Sequence, residues 1–309
     1  MCSEHTTVLL KETVEALEVK PDGVYVDMTL GRGGHSSLIL SKLSFKGKLI
    51  GIDQDPEAIA KTKVRLEKQN KKAYLFQTNF VNFDYCLRTM EISEVDGFVF
   101  DLGVSSPQFD EGDRGFSYRM DARLDMRMDQ NSDLDAYKVV NGYSVKDLTR
   151  VFRDYGEEKF AFQIAKNIEK ARAIKPIETT FDLVEIIKKT LPAKVLEKKG
   201  HPAKQVFQAI RIEVNDELNV LENTLKRAIN SLKIGGRCAV ISFHSLEDKI
   251  VKDIFKSHSF IEGDRLNFDT AKEVKFKLVN KKVIIPSDEE MASNPRSKSA
   301  KLRVIERIK

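Results

Sequence analysis

A short apolar run, Val24-Tyr25-Val26-Asp27-Met28, follows the turn Pro21-Asp22-Gly23 and leads directly into Thr29-Leu30-Gly31-Arg32-Gly33-Gly34-His35-Ser36. A strand, a glycine-rich turn and a helix in immediate succession restrict the fold strongly. Glycine lets the backbone take positive φ and approach a ligand where a side chain would collide. Residues 36–43 read as the helix. Lys48 to Asp53 is a second strand, after which Asp55 caps a helix whose first residue is Pro56, the position proline favours. Ala73 to Gln77 is a third strand, and Val95 to Leu102, centred on Phe98-Val99-Phe100, a fourth. Short apolar strands alternating with helices specify an α/β fold, a parallel sheet covered on both faces.

The alternation then stops. From Phe109 to Asn131 the chain interleaves Asp and Arg, as a self-neutralising solvated loop would. Ser144 to Arg153, Glu157 to Arg172 and Thr180 to Thr190 read as helices, punctuated by Pro176 and Pro192. Val206 to Ile229 has helical spacing, Gly235-Gly236 makes a turn, and Arg237 to Phe243 is a fifth strand. Ser245 opens a further helix, with Asp248 placed three residues on to cap it. Two late runs, Val274 to Ile285 and Lys301 to Ile308, are candidate antiparallel edge strands. The expected organisation is a core in two parts, residues 1–108 and 206–309, around a mainly helical, substrate-recognising insertion at residues 109–205.

With 309 residues, 41% hydrophobic and 32% charged, the chain can bury a large core without disulfide or metal staples. Its three cysteines, Cys2, Cys86 and Cys238, form no CxxC pair, which fits a reducing cytoplasm and not a zinc ribbon. His5, His35, His201, His244 and His258 lack metal-ligand spacing, so no metal is expected. No signal peptide and no run of about 18 apolar residues is present, so the expectation is a cytoplasmic protein without membrane contact. The net charge of +5 is compatible with nucleic acid, but a lysine-rich surface accounts for it equally. Basic residues gather at the end, where Arg296, Lys298, Lys301, Arg303, Arg307 and Lys309 face only Glu306. Without tryptophan, any base stacking falls to Phe, Tyr, His or Arg.

The turn departs from the dinucleotide fingerprint GxGxxG, because Ser36 stands at the last position. Asp53, ending the second strand, is placed to accept the hydroxyls of a ribose. Glycines and Asp53 together imply an adenosyl ligand without separating NAD from S-adenosylmethionine. Asp27 bears on that choice: a carboxylate before the turn suits a cationic aminoacyl sulfonium and would repel a pyrophosphate. Asp101-Leu102-Gly103-Val104-Ser105-Ser106-Pro107-Gln108 follows the fourth strand. It should face the first turn, since ligands of open α/β sheets bind beyond the carboxyl ends of the strands. An acid followed by small residues and proline resembles the Asp-Pro-Pro-Tyr motif of amino-group methyltransferases. Accepting the N–H bonds of an exocyclic amine localises its lone pair for attack on a methyl group, and alignment supplies much of the rate. Asp101, Ser105, Ser106 and Pro107 are therefore the candidate catalytic group. Methylation at carbon five of a pyrimidine would need a cysteine nucleophile, and neither loop has one. His35 is a candidate cofactor contact. His244 suits either the cleft or the start of the next helix.

At these positions the chain resembles the bacterial small-subunit ribosomal RNA methyltransferase H family, also called MraW. The resemblance runs nearly end to end. It includes Asp27 to Ser36, Gly51 to Pro56, Phe100 to Gln108, Arg114-Gly115-Phe116-Ser117, Leu124 to Asp129, His201-Pro202-Ala203, Phe207 to Asn215, Ile241 to Asp248 and Asn294 to Arg303. It implies a class I S-adenosylmethionine-dependent methyltransferase, with a Rossmann-like, mostly parallel seven-stranded sheet and an inserted helical domain. It implies methyl transfer to the N4 amine of a cytidine in the decoding region of 16S ribosomal RNA. The substrate would be an assembled or nearly assembled subunit, and a homodimer is compatible. Cofactor contacts fall on Gly33, Gly34, His35, Asp53, Phe80, Asp101 and Gln108, to which the residues themselves add Asp27 and Gly31. Arg296, Lys298, Lys301 and Arg303 would meet RNA phosphates. The chain departs from the family at Arg123, where proline is usual, at Lys204-Gln205, where Thr-Arg is common, and at Lys298, where arginine is common. Lysine lacks the bidentate phosphate contact of arginine, so these departures bear on RNA. Two other readings stand beside this one: a DNA amino-methyltransferase, and a non-catalytic RNA-binding assembly factor. Ser36 disfavours a nicotinamide dehydrogenase. Asp53→Ala should weaken cofactor binding without unfolding the protein.

Overall fold

The strands read from the first hundred residues lie side by side in one sheet of the computed structural model, which describes residues 7–103, 114–197, 200–259 and 274–309. Strands β1 (Val24–Asp27), β2 (Lys48–Asp53), β3 (Ala73–Gln77), β4 (Val95–Asp101), β5 (Leu232–Ser242), β6 (Phe276–Leu278) and β7 (Lys301–Arg307) take the order β3-β2-β1-β4-β5-β7-β6. Neighbours from β3 through β5 are parallel, and β7 runs antiparallel to both β5 and β6. The mostly parallel seven-stranded sheet is therefore present. Chain direction along the sheet reverses between β1 and β4, which opens a crevice beyond their carboxyl ends.

The chain forms two compact units, residues 1–103 with 218–309 and residues 104–217. In the first, alternate side chains of β4 enter opposite faces of the sheet. Phe98 and Phe100 pack with Phe83, Leu225 and Phe255 on one face, while Val99 joins Leu9, Tyr25, Ile39 and Leu302 on the other. The helices around this sheet are α1 (Leu10–Ala16), α2 (Gly34–Lys42), α3 (Pro56–Glu67) and α4 (Phe83–Thr89). Asp55 caps α3 by accepting the Glu57 N–H at 2.9 Å, with Pro56 at the first position.

The second unit contains α5 (Ala136–Gly142), α6 (Val145–Asp154), α7 (Ala161–Arg172), α8 (Thr180–Thr190), α9 (Ala193–Leu196) and α10 (Lys204–Asn215) around its own core of Leu148, Phe152, Ile164, Leu183 and Ile210. Its polar segment, described from Arg114 onward, neutralises itself as expected but is not simply solvated. The Arg127 guanidinium donates to both oxygens of Asp125 at 2.9 and 2.8 Å, and Arg114 donates to the carbonyls of Arg127 and Met128. Leu124 and Met126 are buried between these pairs. Asn215 on α10 accepts the Met128 N–H and donates to the Met126 carbonyl, each at 2.8 Å.

Four local expectations change. The helix over Val206 to Ile229 is two helices, α10 and α11 (Glu217–Asn230), broken where Asp216 takes φ 49°. Since α10 belongs to the helical unit, the division falls after residue 217. Gly235-Gly236 lies inside β5, where Gly235 at φ 75° accompanies a shift in the pairing with β4 between Val95 and Gly97, a bulge. β7 is interior, so of the two late strands only β6 is an edge. Finally, α7 starts at Ala161: Glu157 takes φ 52°, and the Glu158 carboxylate reaches forward to accept the Phe160 N–H at 2.8 Å. Helices α12 (Ser245–Ser259) and α13 (Asp288–Ser293) complete the first unit. Among the described residues no helix is long and apolar enough to cross a membrane.

Candidate active site

Asp27 is the last residue of β1, between β2 and β4. Beyond it the backbone stays tied to both neighbours: Met28 N donates to Val99 O and Leu30 N to Ile52 O, each at 2.9 Å. The turn then closes on itself, with Gly33 N donating to Leu30 O at 2.8 Å. Gly31 and Gly33 take φ 49° and 70°, the left-handed region that favours glycine. A Cβ on Gly33 would overlap Thr62 Cγ2, and one on Gly34 would overlap the Thr7 side chain. Thr62 on α3 is fixed from the other side, because its hydroxyl donates to Gly31 O at 2.7 Å. The glycines thus let the turn lie against packed neighbours at the start of α2.

Three carboxyl groups bound this turn. Asp27 is buried; Thr29 N donates to its Oδ1 at 3.2 Å and Ser36 Oγ to its Oδ2 at 2.7 Å. Burial raises its pKa to about 6, against those hydrogen bonds and with help from the Asp53 charge. Asp53 accepts Gly31 N at 2.8 Å and Asp55 N at 2.9 Å, one on each oxygen, and burial raises its pKa as well. The carboxylate has lone-pair capacity left for a further donor such as a ribose hydroxyl. Asp101 ends β4, and its N–H donates to Thr29 Oγ1 at 2.6 Å, locking the two loops across the switch point. Burial first, then the charges of Asp27 and Glu247, lift the Asp101 carboxyl to about 8.

The remaining candidates fall around this core. The buried His35 ring sits with Nδ1 3.7 Å from Asp101 Oδ2. Phe80 opens a 3-10 turn after β3, and its half-buried ring packs edge-on against Phe100 with centroids 5.9 Å apart. Asn79 holds that turn by accepting Val81 N and donating to Gln54, beside Asp53. Ser105, Ser106, Pro107 and Gln108 lie outside the described residues. Gly103, at φ 95°, is the last described residue before them.

His244 lies at the start of α12, with Nε2 3.2 Å from Glu247 Oε1 and both side chains buried. Glu247 was not singled out in the sequence. Its carboxylate accepts Phe243 N at 2.8 Å and His244 N at 3.3 Å, the capping work assigned to Asp248, and its charge reaches Asp101. Asp248 instead accepts Arg303 Nε at 2.7 Å and Lys301 Nζ at 3.0 Å. These two cations of the expected RNA-binding group are therefore countered within the fold, on β7. Arg296 and Lys298 are exposed on the 3-10 turn Pro295–Ser299. Also missed were Thr29 and Thr62, hydroxyls that hold the loops and the turn, marked only by their proximity to the glycines in sequence or space; Ser36 was noted for its place in the turn, but not as the donor to Asp27.

Two expected results follow from this geometry. Asp53→Ala removes the acceptor of two backbone N–H groups, so it should cost about 1–3 kcal/mol of stability in urea denaturation, besides weakening the cofactor by calorimetry. Unchanged stability would show that the Gly31 and Asp55 N–H groups find other partners. The second concerns pH. Asp27 and Asp101 titrate in the folded chain above the ordinary 3.8, so folding takes up protons. Their contribution to stability is complete below that ordinary value and is lost as pH rises through about 6 and about 8. The melting temperature without cofactor should fall from pH 6 to 9 by more in the wild type than in Asp101→Asn, and equal falls would refute the raised Asp101 carboxyl.

The arrangement fits a ligand that is cationic and carries hydroxyl donors: a glycine cradle with no room for side chains, flanked by three carboxyl groups whose ionisation burial opposes. Residues 2–308 match the MraW methylase family. Among solved structures, the chain is similar to a provisionally named rRNA methylase from Clostridium thermocellum, with 13% identity, TM-score 0.47, and coverage of 99% of this chain and 98% of that one. It is also similar to an rRNA methylase from Streptococcus thermophilus, with 12% identity, TM-score 0.45, and coverage of 99% and 100%.

Proposed function

Because the chain belongs to the MraW methylase family, with S-adenosylmethionine as its cofactor, we propose that it methylates the N4 amine of a cytidine in the decoding region of small-subunit ribosomal RNA. The observation that carries this reading is the position of Asp101, whose backbone N–H ties it through the Thr29 hydroxyl to the glycine turn at the switch point of the sheet. S-adenosylmethionine supplies an electrophilic methyl group on a positively charged sulfur. Gly31, Gly33 and Gly34 would hold its aminoacyl end with Asp27 close by, Asp53 would accept its ribose hydroxyls, and Phe80 and His35 would border it. Asp101 accepts an N–H of the amine, which draws the lone pair out of the ring and toward attack. Residues Ser105 to Gln108 complete that loop in the proposal. The new bond joins the methyl carbon to nitrogen, the carbon–sulfur bond breaks and leaves a neutral thioether, and the amine gives up one proton to solvent water.

Among the described residues, cysteine chemistry at carbon five has no support. Cys86 and Cys238 are buried, and burial raises both thiol pKa values. In the same proposal the helical unit recognises the subunit RNA, with Arg296 and Lys298 contributing phosphate contacts, while the target base leaves its stack to reach Asp101. The test is transfer of labelled methyl from S-adenosylmethionine to isolated small subunits, free ribosomal RNA and duplex DNA. The expected result is label in ribosomal RNA. Label in duplex DNA alone would indicate a DNA amino-methyltransferase, and none in any substrate a non-catalytic assembly factor.

A further inference from the structure

Two sequence motifs that the proposed methyl transfer does not use meet inside the helical unit. Tyr118 follows Arg114-Gly115-Phe116-Ser117, and His201 opens His201-Pro202-Ala203. Their rings stack with centroids 4.3 Å apart and planes 13° from parallel. Phe207, on α10, braces Tyr118 edge-on at 5.7 Å and 90°. Both stacked residues remain half-buried, not sealed in the core.

The His201 ring is fixed in one state. Ala203 N donates to its Nδ1 at 3.3 Å, which leaves the proton of the neutral ring on Nε2. Partial burial, then Lys188, then Arg119 lower its pKa from the ordinary imidazole value, which favours the neutral ring. Those two cations are exposed. Lys188 shares its charge with Glu185 at 3.3 Å on the same helix, and the Arg119 guanidinium lies 5.9 Å from the Tyr118 ring centroid. Among the described residues no carboxylate forms an ion pair with Arg119.

A neutral two-ring stack, partly open and bordered by two exposed cations, matches the chemistry of one nucleotide in a single strand: an apolar π-face beside a negative phosphate. Aromatic platforms of this kind bind bases without regard to sequence. We propose that Tyr118 and His201 form a stacking site for an unpaired RNA nucleotide, with Arg119 and Lys188 meeting its flanking phosphates. The site would hold a part of the substrate strand other than the methylated base, and it rests on the reading that this chain acts on RNA.

The test is fluorescence anisotropy of the full chain with a labelled, unstructured RNA oligonucleotide across a salt series. His201→Asn keeps an acceptor for Ala203 N while removing the ring, and should weaken binding about tenfold. Arg119→Gln and Lys188→Gln, both at exposed positions, should each lower the slope of log affinity against log salt by about one. Tyr118→Phe keeps the stack and should bind as the wild type does. Wild-type affinity in His201→Asn, or unchanged salt slopes in both cation variants, would overturn the site. The methyl-transfer assay separates the two claims: if the wild type labels ribosomal RNA while His201→Asn binds the oligonucleotide normally, only the stacking site falls. If the wild type neither labels nor binds RNA, both fall.

Discussion

Asp101→Ala should slow methyl transfer about a thousandfold at saturating cofactor, the scale on which a lost aligning acceptor acts. The loss should persist in kcat, because the turn and Asp53 keep their groups and saturating cofactor offsets the contact that Asp101 itself would make with it. Asp101→Asn retains one acceptor oxygen and should fall between the alanine variant and the wild type. It should also flatten the alkaline side of the rate profile. The Asp101 carboxyl lies near 8 because burial, Asp27 and Glu247 all oppose its ionisation. An amide has no such transition. Single-turnover measurements from pH 6 to 9 on all three proteins supply the comparison. An alanine variant within threefold of the wild type would remove Asp101 from the chemistry.

Gly33→Ala should destabilise the chain by about 2–4 kcal/mol, from left-handed backbone strain together with overpacking. The added Cβ meets Thr62 Cγ2, and Thr62 cannot simply turn away, since its hydroxyl is bonded to Gly31 O. The cofactor site should weaken with it, because the first turn of α2 must shift. The compensating change is specific. Thr62→Ser deletes the colliding methyl and keeps the hydroxyl, so Gly33→Ala with Thr62→Ser should recover the packing part of the loss and leave the strain of about 1 kcal/mol. Urea denaturation of the four proteins in this cycle measures the coupling. Strict additivity would show that Thr62 does not limit the turn.

Local signals in the sequence were enough for the parallel half of the sheet. Apolar runs bounded by turns located β1 to β4, Asp55-Pro56 marked the start of α3, and the demand for positive φ explains Gly31 and Gly33. What was not legible depends on partners far along the chain or on backbone states that residue type does not announce. Asp216 breaks a helix at φ 49° with no glycine or proline to signal it. The interior place of β7 is a property of strand order, which periodicity does not encode. Lys301 and Arg303 looked like free cations until Asp248, more than fifty residues earlier in the chain, was brought beside them. The same displacement hid Glu247: Asp248 fitted a capping pattern by spacing, but its carboxylate turns toward β7, and Glu247 takes the N–H groups at the start of α12.

In the proposal the glycine turn holds the cofactor and Asp101 directs the chemistry done with it. Nucleoside mass spectrometry tests the joint claim most directly. Small subunits from cells lacking this protein would be analysed before and after incubation with the protein and S-adenosylmethionine. The account predicts one new methyl group per particle, recovered as N4-methylcytidine from the decoding region, and its absence with Asp101→Ala. A methyl group on carbon five, on another nucleoside, or on no nucleoside at all would contradict it.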